Sequence, residues 1–199
     1  MQLNKKAILL SGGMDSIALA YWKQPDIAIT IDYGQKTAEA EIKSATAVAK
    51  ILNIEHHIIG INGSSLGSGS LSDNASLPEA PSFEWWPYRN QLIVTIAAME
   101  AIKLGVEEIM VGTVKSDSVY KDGTKEFYEQ LNTLMALQEG GIKISVPAIN
   151  MSTEELVRVS NTPIKLLLWA HSCNTSNIPC GRCRSCMKYR EVKASLKIP

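Results

Sequence analysis

Cysteine is absent from the first 172 residues of this 199-residue chain, and all four cysteines fall between positions 173 and 186. A disulfide framework would be spread along the chain, so that class is excluded and a reducing compartment is expected. Net charge is absent as well: 20 Lys and Arg balance 20 Asp and Glu. That balance excludes a general attraction to nucleic acid or to an anionic membrane. No apolar run is long enough to span a bilayer. No signal-peptide core precedes the first apolar segment, because Met1-Gln2-Leu3-Asn4-Lys5-Lys6 leads directly into it, so a cytoplasmic protein is expected. There is no internal repeat. Neither the Walker pattern G-x-x-x-x-G-K-[ST] nor G-x-G-x-x-G occurs. What remains is 45% hydrophobic, enough for one sizeable core, alone or with a small appendage.

The first positive signal is Leu9-Leu10-Ser11-Gly12-Gly13-Met14-Asp15-Ser16. It follows an apolar segment, Ala7 to Leu10, that reads as a strand, and precedes Ile17 to Trp22, which can open a helix. A strand, a glycine-rich turn and a helix N-terminus make an anion site, with backbone N–H groups exposed and the helix dipole favouring negative charge. A Cβ at the glycines would hold the backbone away from a phosphate. Ser11 and Ser16 add hydroxyls, and Asp15 could orient a metal ion or the loop itself. An ordinary Gly-Gly turn is the plain alternative, but the whole motif in this position favours phosphate. Ser-Gly-Gly-x-Asp-Ser resembles the pyrophosphate loop of the N-type ATP pyrophosphatases, enzymes that split ATP between its α and β phosphates.

Downstream, strands are expected at Asp26 to Asp32, Glu55 to Ile59, Glu108 to Gly112 and Ile142 to Pro147. Helices are expected at Gln35 to Leu52, at Tyr88 to Leu104 (closed by Gly105) and at Thr124 to Leu137, with Phe127, Leu131 and Leu134 on its apolar face. Ser152 with Glu155 reads as a capping box for Thr153 to Val159, and Lys188 to Leu196 reads as a last helix. Alternating strands and helices mean βαβ units, hence an α/β fold with a parallel, doubly wound sheet. Ligands bind such sheets at the strands' carboxyl ends, where Ser11 to Ser16, Asp32 to Gln35 and Gly112 to Tyr120 would gather. The Gly60 to Pro81 stretch is long and irregular, which predicts a mobile lid or a functional excursion. Trp85-Trp86 at its end could stack on a planar base or simply pack.

The second signal is Cys173-x6-Cys180-x2-Cys183-x2-Cys186. Four thiolates at these gaps suit a tetrahedral zinc site, and with no open coordination position the metal would be structural. An iron–sulfur cluster can also use four cysteines, so spacing alone leaves both open. A redox dithiol is a lesser option. His171 beside the cluster could be an acid or base, or a residue that supports the metal site.

Together, the two ends of the chain resemble the QueC family, the 7-cyano-7-deazaguanine synthases. Asp32-Tyr33-Gly34-Gln35, Arg89-Asn90, Gly112 with Asp117-Ser118, Tyr120 and Asp122, and Pro179-Cys180-Gly181-Arg182-Cys183-Arg184-Ser185-Cys186 carry the likeness. The resemblance implies an adenine nucleotide α-hydrolase-like sheet over residues 1–170, with a four-cysteine zinc knuckle over 171–199 packed on it. It implies ATP and Mg²⁺ as co-reactants and Zn²⁺ at Cys173, Cys180, Cys183 and Cys186. ATP would be held by Leu10, Ser11, Gly12, Gly13, Met14, Asp15, Ser16, Asp32, Tyr33, Gln35 and Gly112. The substrate would be held by Arg89, Asn90, Asp117, Tyr120 and Asp122, with Asp15, Ser16, Arg89 and Asn90 in the chemistry.

The activity so implied is adenylylation of the 7-carboxylate of 7-carboxy-7-deazaguanine, then amide and nitrile formation with ammonia. Two departures stand out. Thr153 occupies a position where the family pattern has lysine, and the first cysteine gap is one residue shorter. An alternative keeps the activation step but couples the deazaguanine to an amine of a partner protein, as in antiviral systems. A tRNA-modifying pyrophosphatase fits less well, because no basic face for RNA is evident. A non-catalytic ATP-binding module is opposed by the intact loop. A homodimer is left open, and neither a membrane nor a nucleic-acid partner is expected.

Overall fold

The computed structural model describes residues 4–197, so Met1 to Leu3 of the lead-in lie outside the described residues. Five strands form one parallel sheet: β1 (Lys5–Leu9), β2 (Ile27–Asp32), β3 (Glu55–Gly60), β4 (Val106–Met110) and β5 (Lys143–Ser145), in the order β3-β2-β1-β4-β5. Seven α-helices accompany them: α1 (Met14–Lys23), α2 (Ala38–Leu52), α3 (Arg89–Lys103), α4 (Lys125–Ala136), α5 (Thr153–Ser160), α6 (Ile164–Leu167) and α7 (Arg184–Ser195). The expected doubly wound parallel architecture is therefore present.

The strands bury both faces, which is why they read as continuous apolar runs. Successive side chains of β1 alternate between two cores. Ile8 and Leu10 join Ile17 of α1, Val48 of α2, Leu156 of α5, Leu166 of α6 and Val192 of α7. Ala7 and Leu9 join Val94 and Ala97 of α3, Leu131 of α4 and Ile144 of β5. The order reverses between β1 and β4: the chain winds outward through β2 and β3, then crosses to the other side. At such a switch point two neighbouring loops leave the sheet in opposite directions and open a crevice. No helix among the described residues is long and apolar enough to cross a membrane.

Several element boundaries differ from those expected. α2 begins at Ala38 rather than Gln35, because the Gln35 side chain turns back to accept the Tyr33 N–H at 2.9 Å and to donate to the Ile31 carbonyl. α7 begins at Arg184 rather than Lys188, because Cys183 caps it, its sulfur accepting the Cys186 N–H. α4 turns Tyr128, Leu131 and Met135 inward and leaves Leu134 47% exposed, so its buried face is rotated from the expected one. The four-residue α6 was too short for any periodicity to register. The stretch after β3 is packed down at its centre. It carries two 3₁₀ turns, Ser64–Leu66 and Gly69–Leu71, and buries Leu71, Ser68, Ser70 and Ser72. Trp86 is 2% exposed, with its ring edge-on to Tyr33 at 5.0 Å between centroids, so packing is its role.

Candidate active site

The crevice at the switch point holds a cavity of about 370 Å³. One wall is the turn from β1 into α1. Gly12 sits at φ +75°, and a Cβ there would lie 2.6 Å from the Glu41 carbonyl oxygen. Its own carbonyl accepts from the Ser44 hydroxyl and from the His171 N–H, both at 2.9 Å. These contacts fix the loop from two distant segments. No side chain caps α1, so its first N–H groups remain available to an anion. Ser16 donates its hydroxyl to the Gly13 carbonyl at 2.9 Å and lies 3.1 Å from the Ser11 hydroxyl. Gly112, after β4, passes so close that a Cβ would sit 3.1 Å from the Ser16 Cα.

Asp15 lies in the first turn of α1 with its carboxylate buried. Burial pushes its pKa up, while the Lys188 ammonium, at 3.2 Å, works to lower it. The second carboxylate oxygen, Oδ1, and the Thr153 hydroxyl are both buried and face each other, close enough for the hydroxyl to help lower the Asp15 pKa, and neither has any further partner. Lys188 also donates to the Ser116 hydroxyl at 3.0 Å.

The opposite wall comes from α3 and the segments around it. Burial works against the Arg89 charge, but Tyr33, Asp122 and Glu41 surround it and outweigh that effect. Arg89 Nε donates to the Asn90 side-chain oxygen at 3.3 Å, and Asn90 Nδ2 donates to the Asp122 carbonyl at 2.8 Å. The phenols of Tyr33 and Tyr128 are both pushed up by burial and stay neutral. Tyr120 shares a 2.6 Å hydrogen bond with Ser82, and the Arg184 guanidinium lies 6.0 Å from its ring centroid. Asp117 accepts the Val114 N–H at 2.9 Å and so shapes the turn that carries Ser116.

Of the residues singled out in the sequence, Leu10, Ser11, Gly13, Met14, Asp15, Ser16, Tyr33, Arg89, Asn90, Gly112, Asp117 and Tyr120 all line this one cavity. Gly12, Asp32, Gln35 and Asp122 do not. Gly12 is turned toward α2, Asp32 accepts the Gly34 N–H at 3.0 Å, and Gln35 donates to Glu41 at 3.0 Å. These four frame the residues that do face the cavity. Glu41, Glu84, Tyr128, Arg184 and Lys188 line it without having been singled out. Of these only Arg184 falls within a motif, as the residue between Cys183 and Ser185, and only the fold brings α2, α4 and α7 to the same crevice. His171 is occupied structurally: its N–H holds Gly12, and its ring nitrogen Nε2 lies 3.1 Å from the Ser176 carbonyl.

The four cysteine sulfurs lie within 4.8 Å of one another. This fits a tetrahedral S₄ set, and Cys173 also forms part of the cavity wall. Backbone N–H groups of Thr175, Cys180, Cys183 and Cys186 point at the sulfurs at 3.3–3.5 Å, a pattern that stabilises thiolates. The Thr175 hydroxyl, with the N–H groups of Arg182 and Cys183, brings the Cys180 thiol down to about 5, while burial pushes Cys186 up to about 12. The donor set and geometry are compatible with zinc.

A family profile described as "Queuosine biosynthesis protein QueC" matches residues 5–194. The chain is 31% identical to a 7-cyano-7-deazaguanine synthase of Methanococcus maripaludis over 219 residues, covering 94% of this chain and 93% of that protein. It is 32% identical to the enzyme of that name from Methanobrevibacter smithii, covering 96% and 93%. It is 30% identical to that of Campylobacter fetus subsp. fetus, covering 100% and 98%.

Proposed function

Because the chain belongs to the QueC family, we propose that it adenylylates the 7-carboxylate of 7-carboxy-7-deazaguanine and converts the activated acid, with ammonia, to the amide and then the nitrile. The observation that carries this reading is the meeting, in one crevice, of an uncapped helix N-terminus with a buried arginine and two neutral phenols.

In the first step a carboxylate oxygen bonds to the α-phosphorus of ATP, and the bond from that phosphorus to pyrophosphate breaks. Ammonia then displaces AMP and loses a proton, leaving the amide. The amide oxygen then bonds to the α-phosphorus of a second ATP with release of pyrophosphate, and loss of AMP and the two remaining nitrogen protons gives the nitrile. The N–H groups of the Ser11–Ser16 turn hold charge that develops on the departing pyrophosphate. Arg89, fixed by Asn90 and Asp122, offers a planar fork to an oxyanion of the nucleotide or of the acid. Tyr33 and Tyr120 supply flat, apolar surface for a planar heterocycle. A mixed anhydride is destroyed by water, so the crevice must be closed by the bound reactants while it exists.

Magnesium fits the donors present, since Asp15 Oδ1 and the Thr153 hydroxyl are buried hard oxygen atoms with no partner beyond each other. Bound there, it would neutralise phosphate charge. Zinc at the four cysteines would be structural, as all four positions are filled by sulfur.

The test is incubation with ATP, Mg²⁺, the acid and ammonium, with nucleotide products and all masses read together. AMP and pyrophosphate are expected, and ADP with free phosphate would refute the reading. Asp15→Ala and Ser16→Ala should each lower turnover at least ~10-fold. A second reading, transfer to an amine of a partner protein, is favoured by an exposed apolar rim. Phe83, Tyr88 and Val119 are 64%, 77% and 55% exposed, and each is next in sequence to a cavity-lining residue. Under that reading the new mass appears on the protein fraction and no nitrile forms.

A further inference from the structure

Three lysine or arginine side chains line the cavity, and they divide the work. Arg89 is enclosed by Tyr33, Asp122 and Glu41, and Arg184 lies over Tyr120. Lys188 alone among them touches the turn that starts α1, through Asp15 at 3.2 Å. We propose that Lys188, on the helix that follows the cysteine cluster, is the phosphate-binding lysine of this site and contacts the pyrophosphate portion of ATP directly.

The geometry argues for this in three ways. First, an ammonium has three donors, and two are used, one on Asp15 and one on the Ser116 hydroxyl. The third is free, the side chain is 33% exposed, and the residue faces the cavity. Second, a carboxylate in the first turn of α1 opposes an incoming phosphate. A cation held against it restores the positive field that the helix N-terminus provides. Third, Thr153 approaches the same carboxylate from the start of α5, with a buried hydroxyl that brings no charge. A lysine from α7 therefore supplies the cation that the α5 side of the crevice lacks.

The inference rests on the proposed ATP chemistry but can be tested apart from it, with inorganic pyrophosphate and Mg²⁺ as the probe. Binding would be measured calorimetrically on the full, zinc-loaded chain. Lys188→Met should weaken binding at least ~10-fold, the scale of one charge-assisted contact to phosphate. Lys188→Arg should retain most of it. The double variant Lys188→Met/Thr153→Lys should recover binding to within about threefold, because the cation returns to the same crevice from the other wall. Lys165→Met, on an exposed site of α6, should change nothing.

A role limited to holding Asp15 would vanish once Asp15 is uncharged, so Lys188→Met should still weaken binding at least ~10-fold in an Asp15→Asn background, and no loss there would overturn the proposal. Affinity within twofold of wild type in Lys188→Met, or no recovery in the folded double variant, overturns the proposal. If the wild type binds pyrophosphate through Lys188 but makes no AMP from the deazaguanine acid, the proposed reaction fails while the lysine assignment stands. If AMP forms but pyrophosphate binding is indifferent to Lys188, the lysine assignment fails while the proposed reaction stands.

Discussion

Gly12 and Gly13 are adjacent, yet alanine at each should fail in opposite ways. At Gly12 the backbone is left-handed at φ +75°, and an added Cβ would meet Glu41 O at 2.6 Å and Ser44 Cβ at 2.8 Å. The left-handed conformation costs about 1–2 kcal/mol for a residue with a Cβ. Overpacking against backbone adds about 1–3 kcal/mol, since a carbonyl oxygen cannot swing aside as a side chain can. The sum, about 2–5 kcal/mol, corresponds to a Tm loss of roughly 4–20 °C in a domain of this size. Relief by moving the turn would strain the 2.9 Å bonds that Ser44 and His171 make to the Gly12 carbonyl. At Gly13 φ is −78°, and the nearest atoms to an added Cβ are Ser11 Oγ at 3.4 Å and His171 O at 3.8 Å. Alanine fits there, and the stiffer unfolded chain stabilises by up to about 1 kcal/mol. The methyl group projects into the cavity, however, where the phosphate must lie against backbone N–H groups. Gly13→Ala should therefore keep or raise Tm while AMP formation falls at least ~10-fold. Differential scanning calorimetry and an AMP assay on the same preparations decide it. A Gly12→Ala Tm within about 2 °C of wild type, or a fully active Gly13→Ala, would refute the reasoning.

Other outcomes follow from the same structure. Elemental analysis should give one zinc per chain, and Cys183→Ser should give unstable protein rather than a folded, inactive one, because a site worth on the order of 10 kcal/mol organises this segment; iron, or well-folded metal-free protein, would contradict it. Trp86→Ala should cost about 3–5 kcal/mol in chemical denaturation, as Trp86 is 2% exposed and packs on Tyr33; an unchanged midpoint would put Trp86 outside the core. The His56 pKa is lowered from 6.5 by burial and then by His57, so its contribution is complete above about pH 6.5 and is lost as pH falls through the lowered native value. Tm should drop more steeply from about pH 7.5 to about pH 5 in wild type than in His56→Gln, and parallel curves would contradict that sign. Limited proteolysis of ligand-free protein should cut within 73–83 and spare the buried 68–72; rapid cutting in 68–72 would show that this packed stretch opens as well.

The parallel sheet could be anticipated because apolar runs alternating with helices at regular spacing admit little else, and the turn at Ser11–Ser16 was marked by its own chemistry; the order of the strands could not. Arg89 and Asn90 could be found because they sit in a resemblance-bearing pair. Lys188 could not. Nothing within α7 distinguishes it from Lys193, and its partner Asp15 is known only once the helix is docked. The packing of the segment after β3 was illegible for a related reason. Its glycines and serines suggest mobility, yet Gly69 is small so that the chain can press against the Phe83 carbonyl, and its serines are buried. Composition records what a residue permits, whereas packing decides which permission is used. Cys183 misled in the same sense: read as a ligand alone, it also sets where α7 begins.

The turn after β1 depends on partners made very late. Gly12 is held by the His171 N–H, and Asp15 by Lys188, 173 positions further along the chain. During synthesis at about 5–20 residues per second, the phosphate loop emerges first and then waits for roughly ten seconds or more before its last contacts exist. A nascent or truncated chain can build the sheet through β5 while the loop still lacks its supports and Asp15 its counter-charge. The turn therefore gains its last supports near the end of folding, when α7 docks, and under the proposed function a half-made chain would lack a finished nucleotide site.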